Sequence, residues 1–146
     1  MPELRSLLQA VFDHPAFRAA CAAAETRPAG EQPGLTLSGL TSAAKALVAA
    51  GLAHQVARPL IVLTADNEAA DRLRRTAATV LEWLEPGTGA TVNVLPAVDS
   101  APYEGRSPHP EISERRAVAL WNLARGRTRI LFVPLAAALG RSREES

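Results

Sequence analysis

The chain has one cysteine, one lysine and few aromatic residues among its 146 residues, and its charges nearly balance. A single cysteine, Cys21, excludes an internal disulfide framework and a multi-cysteine metal site. The formal net charge of +1 excludes a strongly basic nucleic-acid-binding arm and an acidic tail, although a local basic patch stays possible. The three histidines lie far apart and lack the spacing of metal ligands.

Long hydrophobic runs are also missing. The longest, from Ile130 to Leu139, contains Pro134 and is about ten residues long, which is too short to cross a bilayer. The first residues, Met1 to Arg5, lack the basic and apolar segments of a secretory signal peptide. We therefore expect a cytoplasmic protein that makes no membrane contact.

Strand-like and helix-like segments alternate along the chain, and this alternation predicts the fold class. The segment 59–64 is apolar at nearly every position, as in a strand that is buried on both faces. We expect an α/β fold with a parallel sheet covered by helices on both faces and preceded by an N-terminal helical segment. The expected strands are 35–38, 59–64, 91–95 and 129–133, and the expected helices are 2–25 with a break at Pro15, 42–56, 67–84 and 110–124.

The same pattern divides the chain into three parts. Residues 1–34 are expected to form an N-terminal helical appendage and linker, because 27–34 is rich in proline and glycine. Residues 35–139 are expected to form a degenerate P-loop α/β domain, and the polar residues 140–146 a disordered tail.

The segment from Gly39 to Ala46 fits part of the P-loop pattern G-x-x-x-x-G-K-[ST]. Gly39 and Lys45 match, and Lys45 is the only lysine in the chain. However, Ala44 replaces the second glycine, and Ala46 replaces the hydroxyl residue that binds Mg²⁺. An ordinary strand–helix turn with a surface lysine explains the segment about as well.

A hydrolytic P-loop site also needs an acid at the end of a neighbouring strand. The strand at 129–133 leads into Pro134, and Asp66 is better placed as the N-cap of the helix at 67–84. We therefore expect no catalytic residue, no bound metal and no enzyme activity for this chain. The degenerate nucleotide-binding set is Gly39, Thr41, Ser42 and Lys45.

Arginines are frequent towards the C-terminus and could form a phosphate-facing patch. Arginines in such numbers more often cover a solvated helix face. The candidate patch consists of Arg106, Arg115, Arg116, Arg125, Arg127 and Arg129.

Four stretches, at 37–46, 58–66, 95–109 and 129–135, together resemble the N-terminal module of the bacterial transcription-repair coupling factor family (Mfd). That module is itself similar to the first domain of UvrB. The resemblance covers residues 35–139. The motif most specific to the family is a set of residues that precede the expected helix at 110–124 and reach into its first turn. This set is Pro102, Tyr103, Glu104, Ser107, Pro108, His109 and Glu111.

The resemblance implies that the parallel sheet is of the P-loop, helicase-like type. It implies a UvrB-like copy that has lost its motor and acts as a scaffold and interaction domain in transcription-coupled nucleotide excision repair. It implies that other domains of the coupling factor are the direct partners. UvrA, RNA polymerase and DNA are contacted through the full-length protein, which is an ATP-dependent DNA translocase. ATP and Mg²⁺ belong to a separate motor, so no cofactor is expected in this chain. The short loop at 96–109 holds one tyrosine, so the damage verification performed by the UvrB hairpin is not expected.

Two alternatives stay open. The first is a P-loop domain that still binds ATP or phosphate through Gly39, the loop amides and Lys45. The second is a DNA-binding module that uses the arginines of 106–129, with an affinity that falls steeply with salt. The net charge of +1 speaks against the second alternative.

Overall fold

The structure is a computed structural model that describes residues 2–26, 34–98 and 110–139. A 3₁₀ turn at Gly89–Thr91 precedes the second strand of the sheet. The helices and strands are α1 (Pro2–Phe12), α2 (Pro15–Glu25), α3 (Ser42–Gln55), β1 (Leu60–Thr64), α4 (Asn67–Leu84), β2 (Val92–Val94), α5 (Pro110–Ala124), β3 (Ile130–Pro134) and α6 (Leu135–Leu139).

The three strands form one parallel sheet in the order β1-β3-β2. Ile130 of β3 pairs with Leu60 on one side and with Val92 on the other. The strand that comes last in the chain is therefore the middle of the sheet. This arrangement confirms the α/β class and the parallel sheet.

The middle strand, β3, is buried on both of its faces. Ile130 and Phe132 enter the larger apolar core with side chains of α1 to α4, whereas Leu131 and Val133 enter a smaller core with α5 and α6. Helices thus lie on both faces of the sheet. This alternation is the packing that a strand without a polar face requires.

The expected break in the N-terminal helical segment is confirmed, because α1 and α2 are separate helices on either side of His14. The backbone N–H of Ala16 donates to Nδ1 of His14 at 3.2 Å, so His14 caps α2. The rings of Phe12 and Phe17 lie 4.9 Å apart between centroids, and both are buried in the larger core. The two helices are therefore packed on the α/β unit through aromatic side chains.

The expected strand at 35–38 is wrong. Residues 34–38 form no strand, and the described sheet has three strands rather than four. Leu35 is exposed, and Leu37 is only half-buried. A segment of four residues that buries so little apolar surface gains too little to fix itself as a strand.

The helix α4 begins and ends at the residues that the sequence predicts, and its N-cap is confirmed. The backbone N–H of Ala69 donates to Oδ1 of Asp66 at 2.8 Å. Next to this cap, Asn67 holds the chain after β2: its amide donates to the carbonyl of Ala97 at 3.2 Å and accepts from the N–H of Ala97 at 2.8 Å. Among the described residues, no helix is long and apolar enough to cross a membrane.

Candidate functional site

The P-loop-like residues lie around the N-terminus of α3. Gly39 has a φ of +76°, a left-handed conformation that glycine adopts without strain. Thr41 is the N-cap, since its side-chain oxygen accepts from the N–H of Ala44 at 3.2 Å. Ser42 and Lys45 follow in the first turn and are exposed. The four candidate nucleotide-binding residues thus lie together at the N-terminus of α3. The first backbone N–H groups of a helix have no carbonyl partner within the helix and are directed out of this end.

Three features separate this turn from a metal-dependent phosphate site. Ala46 is fully buried in the larger core, where a methyl group packs but supplies no oxygen ligand. Asp66 is the acid that follows strand β1, and its Oδ1 caps α4 by accepting from the N–H of Ala69. The segment that leads into Gly39 belongs to no strand, so the expected strand–loop–helix context is wrong as well. What remains is a helix start with an exposed cation.

Side chains that could bind a metal do not gather elsewhere in the described part of the chain. Over residues 2–26, 34–98 and 110–139, no group of three or more His, Cys, Asp or Glu could hold an ion. Glu111 is exposed in the first turn of α5. The other family-motif residues lie outside the described residues, namely Pro102, Tyr103, Glu104, Ser107, Pro108 and His109.

Most described arginines of the candidate DNA-binding patch have partners inside the protein. Nη2 of Arg115 lies 2.7 Å from Oδ1 of Asp71, and Arg116 donates to the carbonyl of Pro96 at 2.6 Å. The guanidinium of Arg125 stacks on Trp121, 4.3 Å from the ring centroid. The contacts of Arg115 and Arg116 fasten α5 to α4 and to the segment after β2. The DNA-binding hypothesis stays untested, and retardation of duplex DNA at low salt is the measurement that decides it.

A cluster of three charged or titratable side chains, not expected from the sequence, lies where α3 and α4 end and β3 begins. Nδ1 of His54 and Oε1 of Glu85 are 2.5 Å apart, and Nη1 of Arg129 lies 2.8 Å from Oε2 of Glu85. Arg129 also donates to the carbonyl oxygen of Ala53. The hydrogen bonds from Arg129 and then from His54 lower the pKa of Glu85 to about 2. The cluster therefore links the C-terminal ends of α3 and α4 to Arg129, the residue that precedes the middle strand β3.

The position of Glu85 explains why the cluster matters. Glu85 is the C-cap of α4, where the partial negative charge of the helix disfavours a carboxylate. Arg129 offsets that effect and supplies a charge-assisted hydrogen bond. The three members are 31 and 44 residues apart, so no local motif could identify them. The only sequence signal is that each stands at the end of a predicted element.

We expect Glu85→Gln to lower the free energy of unfolding at pH 7 by about 1 kcal/mol, the magnitude of a partly exposed charged hydrogen bond. The sign with pH follows from the lowered pKa of Glu85. The contribution of the Glu85 carboxylate to the free energy of unfolding is fully present above its ordinary pKa of 4.5. This contribution is lost as the pH falls towards its lowered pKa of about 2. Urea unfolding at pH 7, 5 and 3 should therefore show the variant and the unaltered protein converging as the pH falls.

The matched control is Glu68→Gln. Glu68 lies 3.4 Å from Arg72 on the surface of α4, and its side chain is 88% exposed. We expect this change to alter the free energy of unfolding by less than about 0.5 kcal/mol at each of these pH values. A difference for Glu85→Gln that persists undiminished at pH 3 contradicts the assigned role of the carboxylate.

The chain matches no protein-family model, no curated protein and no solved structure.

Proposed function

We propose that the chain is a non-catalytic UvrB-like module of a transcription-repair coupling factor, acting as a scaffold and interaction domain. The sequence resemblance over 35–139 motivates the proposal, and the parallel α/β unit agrees with it. The single observation that carries the non-catalytic part is the helix start at α3. It presents Lys45 followed by Ala46 in place of the metal-binding hydroxyl residue, and Asp66, the acid that follows β1, caps a helix.

The same proposal assigns the partners. Other domains of the coupling factor would bind this module directly, while UvrA, RNA polymerase and DNA would be contacted by the full-length protein. ATP and Mg²⁺ would be bound by a separate motor. The apolar side chains that the fold leaves exposed, among them Leu63 and Trp121, are consistent with a module that has neighbours.

One specific observation favours a second function, the binding of ATP or phosphate without hydrolysis. Gly39 is left-handed, and a Cβ built there would meet no atom within 4 Å, so the space beside the loop is open. Lys45 is exposed one turn into the helix. Backbone amides and a cation at a helix start attract an anion even when no metal is held.

Isothermal titration with Mg·ATP separates the two functions. We expect no heat of binding and no ATP hydrolysis from the unaltered chain or from Lys45→Ala, because Ala44 and Ala46 replace the second glycine and the hydroxyl residue with which a P-loop holds Mg·ATP. The matched control is Arg74→Ala, which removes another helical cation away from Gly39. Binding that Lys45→Ala abolishes and Arg74→Ala preserves supports the second function, and hydrolysis that Lys45→Ala abolishes contradicts the first.

A further inference from the structure

A small pocket lies between α1 and the C-terminal ends of α3 and α4. Its volume is about 140 Å³, which suits a ligand of only a few non-hydrogen atoms. Arg5, Leu8 and Phe12 line it from α1, where their spacing of three and four residues places them on one face of the helix. His54 from the end of α3 and Leu84 from the end of α4 line the opposite side.

The floor of this pocket is apolar. Leu8 and Phe12 are buried in the larger core, and Leu84 packs against the same core. A ligand in the pocket would therefore contact aliphatic and aromatic carbon atoms. A longer apolar tail would bury more of its surface there than a shorter one, and would bind more tightly for that reason.

Arg5 is the cation that the fold leaves for a ligand at this pocket. Within the part of the chain that the structure describes, its side chain has no hydrogen-bond or ion-pair partner. The acid next to His54, Glu85, is already bound by Arg129, which also donates to the carbonyl of Ala53. Arg5 is thus not needed to compensate the negative charge at these helix ends. A planar guanidinium is matched by the two oxygens of a carboxylate.

His54 supplies a second polar contact in the same pocket. Its Nδ1 lies 2.5 Å from Oε1 of Glu85, a carboxylate that is ionised at neutral pH because its pKa is lowered to about 2. This carboxylate holds one ring proton on Nδ1 and leaves Nε2 available to a ligand. When His54 takes up a second proton, Nε2 becomes a donor for a carboxylate oxygen. The charged groups around the ring are Glu85, Arg129 and Arg5.

We propose that this pocket binds a small monocarboxylate with a short apolar tail. The carboxylate would lie against the guanidinium of Arg5, on the side of the pocket that Nε2 of His54 reaches. The tail would lie on the apolar floor. That floor disfavours inorganic phosphate, because all of the phosphate oxygens need polar partners. The pocket adjoins the end of α3, whereas the P-loop-like turn is at its start, so this site does not depend on the function proposed above.

Titration of the whole chain with butanoate, acetate and butylamine, followed by NMR at constant ionic strength, tests the proposal. We expect butanoate to bind with a millimolar dissociation constant, because a small open pocket offers few contacts. Acetate should bind roughly fivefold more weakly, since it lacks two methylene groups. Butylamine carries the opposite charge and should not bind. Butanoate should shift the imidazole signals of His54, which are assigned by their loss in His54→Asn.

One pair of variants checks the role of Arg5. Arg5→Gln should weaken butanoate binding at least about tenfold, because the charge-assisted hydrogen bonds to the carboxylate are lost. The matched control is Arg72→Gln, which removes an arginine of α4 that does not line the pocket and should leave binding unchanged. His54 signals that stay unshifted at tens of millimolar butanoate overturn the proposal. Equal weakening in the two variants, or phosphate or butylamine that binds as tightly as butanoate, overturns it as well.

Discussion

We expect Phe132→Ala to lower the free energy of unfolding by about 3–5 kcal/mol, the largest loss from any single substitution considered. Phe132 is fully buried on the middle strand and packs in the larger core with α3 and α4. Removing the ring leaves a cavity between a sheet and two helices, which cannot all close on it. Denaturant unfolding at pH 7 measures the loss.

Leu131→Ala is the control for this result, because the next residue along β3 faces the other core. Leu131 is buried as well, but its layer consists largely of small residues, Ala97, Ala119 and Ala137, and is open beside β1. We expect a loss of about 2 kcal/mol, at the low end for a leucine truncation, because α6 and water can fill part of the space. Equal losses from the two variants contradict the inference that the two cores differ in how tightly they are packed.

We expect Gly51→Ala to destabilise the protein by about 2 kcal/mol, although alanine is the better helix former. A Cβ at position 51 would lie 2.5 Å from Cε1 of Phe12 and 2.8 Å from Cζ of Phe17. Both rings are buried, so they can yield only if α1 and α2 move off α3. Thermal unfolding should show the loss, and Gly34→Ala, where no atom lies within 4 Å, should be close to neutral.

A local measurement separates this clash from a general loss of stability. Cys21 lies on α2 and packs against the larger core, so its reaction with a thiol reagent reports on the seating of α2. We expect faster reaction in Gly51→Ala and partial recovery in the double variant with Phe12→Leu, which shortens the obstructing side chain. An unchanged or raised melting temperature for Gly51→Ala contradicts the prediction.

Much of the fold could be predicted because its signals are local. The bounds of α4 follow from an apolar stripe that starts after Asp66 and stops before Pro86. The break between α1 and α2 follows from Pro15. The segment at 35–38 could not be predicted, because a strand exists only when another strand pairs with it, and the sequence of one segment does not contain that information.

The candidate site was predictable only in part, for the same physical reason. Gly39 and Lys45 are close in sequence, on either side of the Thr41 N-cap, so their shared place at the start of α3 follows from their spacing. The cluster of His54, Glu85 and Arg129 exists because two helices, α3 and α4, end where the middle strand β3 begins. Tertiary packing brings these residues together, so no local sequence motif predicts the cluster.

The strand order β1-β3-β2 has a consequence for the protein during its synthesis. β1 and β2 do not pair with each other, and each waits for β3, which lies 66 residues after the end of β1 by chain number (130 against 64). No strand pairing of the described sheet can begin until β3, which starts at residue 130, has begun to leave the ribosome. Until then the apolar segment 60–64 is an unpaired strand on a nascent chain. Such late, non-local closure slows folding and lengthens exposure to chaperones and to neighbouring chains.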